Sequence, residues 1–224
     1  MSSRSVAYIG LTTVRSPLFF LLISIFAGLT ALVIVGGTSV LDDLVLSTIR
    51  VSHENNALNN IILYLSFSGD TSTLLFLSIV LTIIKRTRRT GMIFLTCILI
   101  ILILAMYIKI LVGRDIPQIT LPTSLNATQD LKLEEEIVSP MAKSLSYPAT
   151  HIAIAGCLAY LLDLRMPRKL RYLIPLIWSY PVLMAVSRLY LGQYYLTDVI
   201  GGFLLGLIIG IAMSNIMRLN PPEI

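Results

Sequence analysis

Lys109 and Arg114 stand close together near mid-chain, and His151 closes the run Pro148-Ala149-Thr150-His151. Ser187-Arg188 is followed by Tyr194 and Asp198. These side chains suit phosphate chemistry. A phosphate ester needs positive charge around its equatorial oxygens, a nucleophile in line and an acid for the leaving oxygen. Lys109, Arg114 and Arg188 supply the charge, and Arg188 offers a planar fork that matches two phosphate oxygens. His151 is the candidate acid, because imidazole titrates near neutral pH. The arrangement calls for neither metal nor cofactor, and the chain shows no metal-ligand spacing. Taken singly, each residue has an ordinary explanation: an acid at a helix start, for example, simply meets the helix dipole. Their order and spacing together carry the reading.

The elements that position these residues read as membrane helices. The chain has 224 residues, 56% hydrophobic and 13% charged. A soluble domain is about half apolar and about a quarter charged. Long apolar runs account for the excess, each near the roughly 20 residues that cross a bilayer. Six spans are expected, at about 17–38, 68–84, 91–113, 147–164, 170–190 and 195–217. The fold class is therefore all-α: a polytopic membrane protein of six transmembrane helices in one bundle and one domain, 1–224. The first run is too long for a signal-peptide core and no small-residue cleavage site follows, so it reads as a retained helix. Between the first two spans, 40–67 carries Asp42, Asp43, Arg50, His53 and Glu54 among apolar residues. Leu41, Leu44, Val45, Thr48 and Ile49 recur at helical spacing, which predicts a helix lying at the interface. Cys97 and Cys157 lie inside apolar runs and read as small buried hydrophobes, not as a disulfide.

Loop charge sets the orientation. Lys85, Arg86, Arg88 and Arg89 separate spans two and three, and Arg165, Arg168, Lys169 and Arg171 separate spans four and five. With Arg4, Arg15 and Arg218 they mark one side, which the positive-inside bias makes cytoplasmic, together with both termini. The net charge of +5 thus reports topology, not nucleic-acid binding. Lys109, Arg114, His151, Arg188 and Asp198 then fall at the extracytoplasmic ends of four helices. Cations converging at one depth point to an anion site. The outer loop 115–146 holds Asp130 and Glu134 to Glu136, and an N-glycosylation sequon at Asn126-Ala127-Thr128. Gly202, Gly206, Gly210 and Ser214 form a small-residue ridge on span six. It suits close packing inside the monomer or a homodimer seam.

Lys109 with Pro117, Pro148 with His151, and Ser187-Arg188 with Asp198 follow three motifs, Lys-x6-Arg-Pro, Pro-Ser-Gly-His and Ser-Arg-x5-His-x3-Asp. On these residues the chain resembles the type-2 phosphatidic acid phosphatase superfamily, whose soluble relatives include the vanadium haloperoxidases. The resemblance covers about 60–210, including Gly69-Asp70 at the start of span two and Gly201-Gly202 after Asp198. It implies a membrane enzyme that removes phosphate from a lipid phosphate or pyrophosphate without a metal. It also implies that Lys109, Arg114, Thr150 and Arg188 bind the phosphate, that His151 is the acid, and that residue 194 is the nucleophile, oriented by Asp198.

Three departures bear on that activity. Ile116 takes the place of the first motif's Arg, with Arg114 two residues earlier as its substitute. Ala149 and Thr150 replace Ser and Gly, so Thr150 returns one hydroxyl. Tyr194 replaces the His that attacks phosphorus, and a tyrosine with a pKa near 10 is almost wholly protonated at neutral pH. Three functions fit: a lipid-phosphate binder that does not hydrolyse, an active but atypical lipid phosphatase, and a structural membrane protein retaining the fold alone.

Overall fold

The computed structural model describes residues 14–50, 61–62, 64–66, 68–117 and 144–219. Arg4, His53, Glu54, Asn126 and the carboxylates at 130 and 134–136 lie outside the described residues. The α-helices among the described residues include, in order, α1 Pro17–Ile34, α2 Ser39–Arg50, α3 Thr71–Ile83, α4 Arg88–Val112, α5 Thr150–Leu164, α6 Ile174–Tyr190 and α7 Leu196–Ile216. A 3-10 turn, Arg168–Leu173, leads into α6. No strand occurs among the described residues; a single bridge pairs Asp115 with Leu145.

Local chemistry sets the helix ends. Ser16 caps α1, its side chain accepting from the Phe19 N–H at 3.2 Å, and Pro17 opens the first turn, where a missing N–H costs nothing. Gly113, in the left-handed conformation at φ 64°, stops α4 and donates its N–H to the Lys109 carbonyl. Among the described residues, four segments are long and apolar enough to cross a membrane: Pro17–Ile34, Arg88–Val112, Lys169–Tyr190 and Leu196–Ile216. The expected spans two and four correspond to α3 and α5, of 13 and 15 residues. At 1.5 Å per residue α5 measures about 22 Å, less than a hydrocarbon core of about 30 Å.

The short helix α5 is the centre of the bundle, with α4, α6 and α7 packed around it. Nearly every residue from Thr150 to Leu161 is buried, which is why this helix is apolar on all faces. Its core contacts include Ile93, Phe94, Ile98 and Ile101 of α4. Cys97 and Cys157 are buried there and unbridged, as expected. The glycine ridge of α7 faces α5: a Cβ on Gly202 would overlap the Ala149 carbonyl, and one on Gly206 the Ala153 carbonyl. Gly210 meets the Tyr160 ring. The ridge thus packs against α5 within the chain, one of the two arrangements expected of it.

The expected helix in 40–67 is present as α2. Leu41 and Leu44 point outward, whereas Asp42 and Leu46 are buried. Asp42 turns inward because Arg114 and Thr197 wait there with hydrogen-bond donors.

Candidate active site

The motif residues gather at one end of the bundle, where α4 and α6 end and α5 and α7 begin. The Ala149 N–H donates to the Asp198 carbonyl at 3.0 Å, tying the starts of α5 and α7 together. At the end of α6, Gly192 is left-handed at φ 64°, its N–H bonds the Leu189 carbonyl, and the Gln193 N–H bonds the Arg188 carbonyl. This is a Schellman closure, and it folds Gln193 and Tyr194 back over Arg188.

The expected site residues fall into two groups. The inner group holds Lys109, His151, Arg188 and Tyr194. The Tyr194 hydroxyl lies 3.3 Å from His151 Nδ1, with Tyr194 1% and His151 2% exposed. Lys109 Nζ sits 5.8 Å from the Tyr194 ring centroid, within cation–π reach. Lys109 and Arg188 both act electrostatically on His151. Arg188, 1% exposed, donates from one terminal nitrogen to Gln193 Oε1 at 2.5 Å. From the other it donates to Asp70 Oδ1 at 2.5 Å and to the Ser66 carbonyl at 3.4 Å. Its Nε has no hydrogen-bond partner among the described residues. Thr150 is buried beside His151 as the first residue of α5.

The outer group holds Arg114 and Asp198. Arg114 donates to Asp198 Oδ1 at 2.9 Å, to Asp42 Oδ2 at 2.6 Å and to the Thr197 hydroxyl at 2.7 Å. Its guanidinium stacks 4.0 Å from the Tyr195 ring centroid. Asp42 also accepts from the Thr197 N–H at 3.0 Å and from its hydroxyl at 2.7 Å. The second oxygen of Asp198 accepts the Tyr195 N–H at 2.8 Å, one arm of a capping box at the start of α7. Arg114 is thus paired with two carboxylates, and Asp198 bonds Arg114 and the backbone of Tyr195 in place of the side chain at 194.

Asp42, Asp70, Gln193 and Thr197 were not among the expected site residues. The signal for the two acids was their presence within apolar sequence, where an ionisable group is costly and demands a partner. Among the described residues, no three His, Cys, Asp or Glu side chains converge as metal ligands do.

The PAP2 superfamily model matches residues 90–222, which include every motif residue from Lys109 to Asp198. The chain belongs to the PAP2 superfamily. Asp42 and Asp70 precede the matched residues. Over 75 residues the chain is 39% identical to phosphatidylglycerophosphatase B of Bacillus subtilis (strain 168), a match covering 30% of this chain and 36% of that protein. The chain thus spans about a third of that curated relative's length. Among solved structures it is similar to a transmembrane PAP2 type phosphatidylglycerolphosphate phosphatase from Bacillus subtilis. The TM-score is 0.70 at 21% identity, covering 90% of this chain and 96% of the other. It is also similar to Aquifex aeolicus LpxE, with a TM-score of 0.56 at 20% identity, covering 76% and 94%. These likenesses show the membrane PAP2 fold. Together with its apolar helices, they make this PAP2 chain an integral membrane protein.

Proposed function

We propose that this PAP2 chain holds a lipid phosphate or pyrophosphate against Lys109, His151 and Arg188 without turning it over. The observation that carries the reading is the buried Tyr194 hydroxyl on His151 Nδ1, at the position of the family's nucleophile. A phenol is protonated at neutral pH, and a phosphotyrosyl ester resists water far more than a phosphoramidate. Asp198, engaged by Arg114 and the Tyr195 N–H, offers residue 194 no activation. The cations that recognise a phosphate remain, while the parts that cleave it are absent or diverted.

In this reading six helices cross the bilayer, α3 and α5 included, as one domain. Both termini are cytoplasmic and the site opens on the extracytoplasmic side. The cations of the α3–α4 and α5–α6 connections support that orientation, since they mark the opposite end of the bundle from the site.

A second reading, an atypical lipid phosphatase, draws on the same hydrogen bond. His151 as base and Lys109 over the ring would activate the Tyr194 phenol. The curated relative is a phosphatidylglycerophosphatase, which favours phosphate release as the assay.

The two readings separate in one experiment. Purified wild type, Tyr194→His and His151→Ala are given polyprenyl phosphate, polyprenyl pyrophosphate and phosphatidic acid in detergent. The binding reading expects wild type to retain these lipids and release no phosphate, and Tyr194→His to release it. Release by wild type that disappears in His151→Ala would establish the phosphatase instead.

A further inference from the structure

The inner group has its own anion. Arg188 is the phosphate-binding fork of the third motif, yet one of its terminal nitrogens is 2.5 Å from Asp70 Oδ1. The other is held by Gln193. The Arg188 Nε is buried and without a partner among the described residues. The outer pair repeats the pattern, with Arg114 held by Asp42 and Asp198. Both motif guanidiniums, Arg114 and Arg188, are therefore already matched by carboxylate.

We propose that Asp70 is an internal competitor for the ligand's phosphoryl group, so that a lipid phosphate engages the Arg188 fork only by displacing the Asp70 carboxylate. This inference rests on the lipid-phosphate reading above and adds to it the residue that sets the site's affinity. A carboxylate and a phosphate present the same ligand to a guanidinium, two oxygens in one plane. They compete for the same donors, and in a buried site the competition is strong because neither is screened by water. Asp70 can take this part because it occupies the N-cap position of α3, on the chain segment that also supplies the Ser66 carbonyl to Arg188. A small movement of that helix start would withdraw both acceptors together. Arg114 is less suited to such an exchange, since Asp42 and Asp198 hold it from two helices and Tyr195 stacks on it.

The test compares full-length wild type and Asp70→Asn in detergent, titrated separately with sodium phosphate and with a polyprenyl phosphate. Asparagine keeps the shape of the side chain and serves an N-cap as well as aspartate. The expected result is binding at least about tenfold tighter in Asp70→Asn, removed again in Asp70→Asn/Arg188→Ala. Tighter binding of both probes assigns the competition to the phosphoryl group itself; tighter binding of the lipid alone assigns it to the phosphoryl group of a lipid and not to free phosphate. Should wild type bind and Asp70→Asn bind equally or more weakly, the inference is overturned: Asp70 then orients Arg188, and the lipid-phosphate reading stands. If neither protein binds either probe, that reading and this inference fail together. Asp70→Ser, which also caps and also removes the charge, serves the same comparison if Asp70→Asn does not fold.

Discussion

The Tyr194 hydroxyl lies 3.3 Å from His151 Nδ1, and the two side chains are 43 residues apart in the chain. His151 enters on α5, while Tyr194 enters on the turn between α6 and α7. The contact therefore joins two elements as well as two chemical groups. In a catalytic reading Tyr194 would be the nucleophile; in a binding reading it fixes the His151 ring.

Tyr194→Phe separates those roles. A hydrogen bond of this kind contributes about 0.5–1.5 kcal/mol net. The variant should unfold at a lower temperature in detergent by a corresponding amount. Its affinity for polyprenyl phosphate should stay within about threefold of wild type, because Lys109 and Arg188 remain. A large loss of affinity would mean that the phenol itself contacts the ligand.

Arg114 tests whether the outer group is a latch or part of the phosphate site. Its guanidinium joins α2, through Asp42, to the start of α7, through Asp198, and its side chain is 17% exposed. Both carboxylates are fully buried. Removing one partner of such a pair costs about 3–5 kcal/mol, because the remaining charges stay buried without compensation. Arg114→Ala should therefore lose thermal stability markedly while the folded fraction still binds lipid phosphate. Unchanged stability with lost binding would return Arg114 to the phosphate.

The helices and the motif residues were legible in the sequence because hydropathy and spacing are local properties. Lys109, His151, Arg188 and Tyr194 were expected together, and the structure brings them together. The roles of Arg114 and Asp198 were not legible, because they depend on what α2 presents to them. Asp42 lies 72 residues from Arg114 and 155 from Thr197 in the chain. No pattern within α2 distinguishes an acid facing a guanidinium from one facing solvent. Asp70 was visible as the start of a span, but its partner is 118 residues away.

Gly192 carries the geometry that brings residue 194 to His151. It sits at φ 64°, where a side chain costs about 1–2 kcal/mol. Gly192→Ala should destabilise the protein by about that amount. It should also disturb Gln193, which a Schellman bond fixes, and with it the adjoining Tyr194. In the Tyr194→His background, Gly192→Ala should then lower phosphate release by more than its effect on folding explains. An additive outcome would show that the turn only stabilises the fold.

The glycine ridge yields a prediction about packing that is independent of chemistry. Gly202 and Gly206 let α7 approach the backbone of α5, where any Cβ would meet a carbonyl oxygen. Backbone cannot move aside as a flexible side chain can, so overpacking here costs about 1–3 kcal/mol or more. Gly202→Ala and Gly206→Ala should each lower thermal stability in detergent. Because Gly202 meets Ala149, two residues before His151, Gly202→Ala should also weaken lipid-phosphate binding, whereas Gly206→Ala, one turn further from the site, should not. Gly28 in α1 has open space around its Cβ position, and Gly28→Ala should be neutral or stabilising by about 0.5–1 kcal/mol. If Gly202→Ala and Gly206→Ala instead leave the folded monomer intact but abolish a dimer, the ridge faces a partner chain and its packing against α5 is not the relevant contact.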